Sequence, residues 1–447
     1  MIDTLLLSLV GIALLLGQLG RISVGNGIQF YALEILVLVN VIVLLVRYVN
    51  QSLRGAERRS NLTSTGDVFV IARKFILSGA EGRQSHVDLR LLRHSLRWFL
   101  AMTTIRKIAT LWFLYVISLF VFTAWGKDST DNMKAGMYIA RIGLFVIYFY
   151  ILVPVKIPTH FMHKILKIIS FAIPLICLIQ YVLIPDLRFL TQFGWDPHMY
   201  RAVGLILDPP IAGVTLGVLL FITLRQTQSD RTGRFISIVK NYLPATLNFF
   251  AIIFLFSRST YLAIAFVIFI YLVSQKKYWG AILWIVVLSA SIYLAPKTIP
   301  AYYNLESAKI ARVSTVLSRK IELENGFRAW IAHPIFGIGY NRVAEYKQSL
   351  PRIYGKEVEA NHSSSAFHSF WLTQLATTGI IGFILLVSGY VLMMKRSLSW
   401  FLALTIPALV GLLDNVVLHP FVLTLFIFVY FSKVLDRYDS SHISNAS

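Results

Sequence analysis

The chain alternates long apolar runs with polar, mostly basic, connections. A helix needs roughly 17 to 25 predominantly apolar residues to cross a bilayer. Runs that are near this length, or somewhat shorter, fall at about Leu5–Leu19, Ile28–Val46, Ala109–Trp125, Met137–Val153, Ile165–Ile184, Val203–Leu224, Ala281–Leu294, His368–Met393, Trp400–Leu413 and Phe421–Phe431. One longer stretch, Tyr242–Ser274, is interrupted by Ser257, Arg258 and Ser259. A single span there would place Arg258 near mid-membrane, at a cost of about 2.5–3.5 kcal/mol on insertion scales. Two short arms that reverse at Arg258 avoid that cost. Lipid offers no partners for backbone polar groups, so the spans must be helices. The pattern therefore predicts an all-α polytopic membrane protein, one domain over 1–447 with about 12 transmembrane helices.

The connections set the orientation. Residues 47–107 carry twelve Lys/Arg against four Asp/Glu, which predicts a basic cytoplasmic connection. Within it, Val68–Leu77 and Leu89–Met102 read as amphipathic helices lying on anionic lipid. The connection with Lys156, His160, His163, Lys164 and Lys167 is cytoplasmic by the same rule, and its two histidines read as interfacial residues. Arg225–Lys240, Lys276 with Lys277, and Lys395 with Arg396 follow suit. Residues 295–367 then form one large extracytoplasmic loop. It holds ten Lys/Arg, but long loops translocate largely regardless of charge. Both termini are expected in the cytoplasm, the first span retained, and the tail from Lys433 frayed.

Composition narrows the partners. Hydrophobic residues make up 57% of the chain and charged ones 14%, far from a soluble average. The net charge of +21 sits in loops, where it sets topology and meets lipid headgroups, so no nucleic-acid partner is implied. Cys177 is the sole cysteine and lies in an apolar run, which rules out an internal disulfide. There is no P-loop, no dinucleotide-binding glycine fingerprint and no internal repeat.

Candidate chemistry collects on the outer side. Arg201 and Arg258 lie at membrane depth or at its edge, and an arginine fork suits phosphate. His368 opens an apolar run and can take a proton from a hydroxyl near neutral pH. His362, in ANHSSS, is its rival on the flanking loop. The outer acids (Glu322, Glu324, Glu345, Glu357 and Glu359) form no ligand-like cluster, so no metal and no cofactor is expected. Pro334–Gly339, PIFGIG, is a turn signal.

Four segments then carry a resemblance. RAVGLILDPPIAG at Arg201–Gly213, LFSRSTYLA at Leu255–Ala263, GFRAWIAHPIFGIGYN at Gly326–Asn341 and HSFWLTQLATTGIIGF at His368–Phe383 resemble the bacterial O-antigen ligase and O-antigen/exopolysaccharide polymerase superfamily. The resemblance implies a metal-independent, inverting membrane glycosyltransferase in the cytoplasmic membrane. Its donor would be a polyprenyl-diphosphate-linked oligosaccharide, and its acceptor a glycan or lipid-linked sugar hydroxyl. By match, Arg201 and Arg258 would hold the diphosphate and His368 would activate the acceptor at the extracytoplasmic face. Ser369 stands where many members carry asparagine. The competing class is a lipid-linked glycan flippase or transporter, against which stand the missing repeat symmetry and the large outer loop.

Overall fold

The computed structural model describes residues 2–23, 29–62, 104, 107–121, 123, 129–153, 155, 157–193, 195–229, 235–300, 313–349 and 366–436. His362 and the two amphipathic segments expected at Val68–Leu77 and Leu89–Met102 lie outside them.

The apolar pattern folds into helices near the expected places. These are α1 (Ile2–Leu16), α2 (Ala32–Leu62), α3 (Lys107–Val121), α4 (Ser129–Leu152), α5 (Thr159–Leu183), α6 (Pro209–Ser229), α7 (Phe235–Ile253), α8 (Arg258–Ser274) and α9 (Tyr278–Leu294). Two helices then fold within the expected outer loop, α10 (Val313–Ala332) and α11 (Val343–Ser349). The chain closes with α12 (Phe370–Met394), α13 (Leu398–Val410) and α14 (Pro420–Ser432). Among the described residues, five helical stretches, one of them the broken Phe370–Met394, are long and apolar enough to cross a membrane, and six apolar ones are shorter. Where a second span was expected from Ile28, the chain first forms a two-stranded antiparallel hairpin, β1 (Arg21–Ser23) with β2 (Gln29–Tyr31).

Helix α6 is the axis of the bundle. It packs on α7, α8, α13 and α14, and Val214, Leu216, Val218, Leu219 and Phe221 are fully buried. Small residues let it approach its neighbours: a Cβ at Gly213 would lie 1.9 Å from the Thr260 hydroxyl oxygen, and one at Gly217 3.2 Å from Ile264 and Ile406. Small residues four apart are how packing rather than hydrophobicity joins helices in lipid. The pairing of Gly213 with Thr260 and Gly217 with Ile264 makes α6 and α8 parallel, so α7 runs back between them. The chain reverses at Phe254–Ser257, beside Arg258, through a positive φ of 52° at Phe256.

The expected span His368–Met393 needs correction. A straight helix would set Trp371 and Tyr390 about 28 Å apart along its axis, yet their rings are 5.5 Å apart. The helix breaks at Gly379, with φ 63° and ψ −172°, a region essentially reserved for glycine. Phe370–Thr378 and Ile380–Met394 are thus two helices folded towards each other. Hydropathy missed the break because it weighs side chains and not backbone angles.

The turn at Pro334–Gly339 clasps that break. Ile338 N–H donates to Ala376 O at 2.9 Å, Gly339 N–H to Thr377 O at 3.1 Å, and Ile380 N–H to Pro334 O at 2.9 Å. The segment around α10, α11 and the start of α12 has a small core of its own, with Ala329, Val343, Phe367 and Ala376 buried together. At the opposite end of the bundle, Asp436 pairs with Arg396 at 3.0 Å and accepts from the Trp400 indole at 2.9 Å. The first residues of the tail, expected to fray, are therefore tied down as far as Asp436.

Candidate functional site

Five segments meet at the end of the bundle away from Arg396. Ala202 N–H donates to Phe254 O at 3.0 Å, which sets the Arg201 segment against the α7–α8 reversal. Arg258 opens α8, and its neighbour Ser259 donates to Asp414 Oδ2 at 2.9 Å. Asp414, in the α13–α14 connection, also pairs through Oδ1 with Arg319 of α10 at 3.2 Å. Phe370 N–H donates to Gly411 O at 2.8 Å, and Asn415 Nδ2 to Phe367 O at 2.5 Å. That connection therefore grips the backbone on both sides of His368.

Charge links these segments into one patch. Arg201 and Asp414 act electrostatically on Asp208, and Arg258 acts on Asp414. Arg319, Glu322 and Lys347 act on His368. The three residues singled out in the sequence with described positions, Arg201, Arg258 and His368, thus lie in one continuous network. Asp208, Asp414, Arg319 and the Glu322–Lys347 pair, 2.6 Å apart, are the members the sequence reading missed. Arg319 and Asp414 are 95 residues apart, so spacing carried no signal. Glu322 and Arg319 sit one turn apart on α10, and that i, i+3 spacing was the only local hint.

The electrostatics favour proton transfer. Burial holds the His368 imidazole below the usual histidine value, with Arg319 and Lys347 adding to the effect and Glu322 opposing it. The ring is then neutral at pH 7, as a base must be. Burial pushes the Asp414 carboxyl up to about 6, against the pull of Arg319, Ser259 and Arg258. Burial likewise raises Asp208 to about 7, although its Oδ1 accepts from Ile211 N–H at 3.0 Å.

Ser369 explains a departure noted in the sequence. It is the N-cap of α12, its hydroxyl accepting from Leu372 N–H at 3.4 Å. Serine and asparagine are nearly equivalent at that position. The change therefore leaves the helix start, and the histidine before it, in place.

An apolar cavity lies between α3, α4, α12, α13 and α14. Its lining includes Trp112, Phe149, Tyr390, Pro407, Val417 and Phe426. Pro407 and Val417 flank the connection that carries Asp414.

Residues 243–387 match the family described as O-Antigen ligase. The matched stretch takes in the α7–α8 reversal, the clasp at Gly379 and His368. Arg201, Asp208 and Asp414 fall outside it. No curated protein matches the chain.

Proposed function

Because the chain carries, at residues 243–387, a domain of the O-antigen ligase and polymerase superfamily, we propose that it transfers an oligosaccharide from a polyprenyl diphosphate to an acceptor sugar hydroxyl. Arg201 and Arg258 hold the diphosphate, and His368 is the base. The observation that carries this reading is the network from Arg258 through Asp414 and Arg319 to His368. It joins His368 and Arg258 in one anchored patch, which supports reading the first as a base and the second as a phosphate-binding guanidinium.

The chemistry asks little more of the protein. The acceptor oxygen attacks the anomeric carbon, the bond from that carbon to the phosphate oxygen breaks, and His368 takes the hydroxyl proton. A sugar hydroxyl is scarcely ionised at neutral pH, so removing its proton as the bond forms is worth about 10²–10⁴-fold. The departing diphosphate keeps the electron pair, and the arginine forks stabilise its charge. Attack from the face opposite the leaving group inverts the anomeric configuration. The apolar cavity lined by Pro407 and Val417 supports a donor with a long hydrocarbon tail.

In the proposed topology, with twelve spans and both termini in the cytoplasm, this patch lies on the extracytoplasmic face of the cytoplasmic membrane. The donor is then met after its sugars have crossed. The test is reconstitution of the purified protein in liposomes with a lipid-linked oligosaccharide and a glycan acceptor. Transfer to the acceptor, with release of the lipid diphosphate and no loss of rate in a chelator, is expected. Movement of the intact lipid-linked glycan across the bilayer, with no new glycosidic bond, would make the protein a transporter.

A further inference from the structure

Lys347 takes no part in the chemistry above, yet its side chain is only 5% exposed. A buried ammonium costs several kcal/mol unless it is paired and hydrogen-bonded. Its contacts are therefore the reason it is tolerated, and they converge on one short stretch. Nζ lies 2.6 Å from Glu322 Oε2. It donates to Ala366 O at 3.0 Å and sits 5.4 Å from the centre of the Phe367 ring. Ala366 and Phe367 are the two residues that lead into His368.

The two sides of that stretch are gripped differently. Asn415 and the backbone at Gly411 hold Phe367 and Phe370 from the α13–α14 connection. Lys347 holds Ala366 and Phe367 from α11, and Glu322 ties Lys347 to α10. Without Lys347 the stretch keeps its bonds to the α13–α14 connection and to the Thr373 hydroxyl, which joins Phe367 N–H and O at 3.1 Å, and loses the hold on Ala366.

Taking His368 as the base, we propose that Lys347 is a positioning residue for it. With Glu322 it fixes the backbone that delivers the imidazole and balances the charge beside the ring. The charged groups acting on His368 are Arg319 and Glu322 from α10 and Lys347 from α11. Asp414 is coupled to them through Arg319.

The balance predicts opposite signs for two variants. Lys347→Met removes one of the two cations that oppose Glu322 beside the ring, leaving Arg319, which favours the imidazolium and moves the His368 midpoint to higher pH. Glu322→Gln leaves Lys347 and Arg319 facing the ring, which moves the midpoint to lower pH. The readout is the pH dependence of His368 modification by diethyl pyrocarbonate, followed by mass spectrometry on the full-length protein in lipid nanodiscs. It needs no turnover. Transfer assays beside it should show kcat falling by up to about 10²-fold in Lys347→Met, with donor KM near wild type. Lys347→Arg should restore most of the rate.

Midpoints that stay put in both variants, or move in the same direction, would overturn the proposal. So would a lost kcat with the midpoint in place, which is what a purely structural lysine gives. If Lys347→Met does not fold, the sign of the Glu322→Gln shift decides alone. Wild-type protein that transfers no glycan would sink the functional reading and leave the midpoints as a separate result.

Discussion

Two of the charged pairs among the described residues, Arg141–Glu34 and Arg319–Asp414, behave as opposites. Arg141 of α4 meets Glu34 of α2 at 2.6 Å, and the Glu34 side chain is 3% exposed. The second Glu34 oxygen accepts from Tyr31 N–H at 3.0 Å. The guanidinium lies over Phe30, Tyr31 and Tyr138, 4.7–5.7 Å from each ring centre. The other pair, Arg319 with Asp414, is ringed by Ser259, Arg258 and His368 rather than by aromatic faces. A buried ion pair is thus no sign of a site in itself. Rings around a pair make a latch between two helices; hydroxyls, a second arginine and a neutral imidazole around a pair make a place where an anion and a proton can be handled.

The largest expected effect breaks the latch. Glu34→Ala leaves Arg141 buried without its carboxylate and should cost about 3–5 kcal/mol of stability, read by thermal unfolding in detergent. Turnover of the protein that remains folded should be unchanged. A loss of turnover at full stability would move Glu34 into the chemistry and erase the distinction between the two pairs.

Next is the site arginine. Arg258→Ala should weaken donor binding by about 10²-fold, as expected from losing hydrogen bonds to a charged group worth roughly 1.5–3 kcal/mol each. Arg258→Lys should recover only part, since an ammonium lacks the bidentate fork. Arg201→Ala should act in the same direction, with a smaller effect. Binding is measured with a fluorescent lipid diphosphate, and an unchanged affinity in Arg258→Ala would leave that residue as a topological anchor.

A smaller effect is expected at the clasp. Gly379→Ala adds a Cβ 2.1 Å from Ile335 O in a conformation that side chains avoid, at a cost of about 1–3 kcal/mol for the backbone strain. Turnover should fall with stability, because the clasp holds the segment that carries Glu322 and Lys347. Full activity with a shifted melting temperature would show that the clasp serves the fold alone.

The smallest effect is the pH dependence of the wild-type rate. His368 lies below the ordinary histidine value of about 6.5, and it must be neutral to act. The rate should therefore stay level as pH drops from 8 to 6.5 and fail only below that. A decline that starts above 7 would point to a different base.

Much of this was legible in the sequence. Apolar runs located most of the helices, because a span has few ways to hide its composition. The interruption at Ser257–Ser259 marked the reversal, since an arginine in lipid demands a break or a partner. PIFGIG marked a turn, and its Gly337 and Gly339 do carry positive φ values of 73° and 95°. What spacing could not show was partnership at long range. Asp414 sits in a short connection between two apolar helices, and nothing nearby marks it as the partner of Arg319 and Ser259. Glu34 and Arg141 were hidden in apolar runs as single charges whose pairing only the fold supplies. Gly379 was hidden in a long, strongly apolar run.

The most direct measurement compares three proteins in liposomes supplied with a labelled lipid-linked oligosaccharide and a glycan acceptor: wild type, His368→Ala and His362→Ala. Donor binding and glycan transfer are recorded for each. Turnover in His368→Ala should be about 10²–10⁴-fold below wild type, with donor affinity intact, while His362→Ala stays close to wild type. Wild-type turnover in His368→Ala, with His362→Ala inactive, would contradict the account and move the base from the start of α12 to the segment before it.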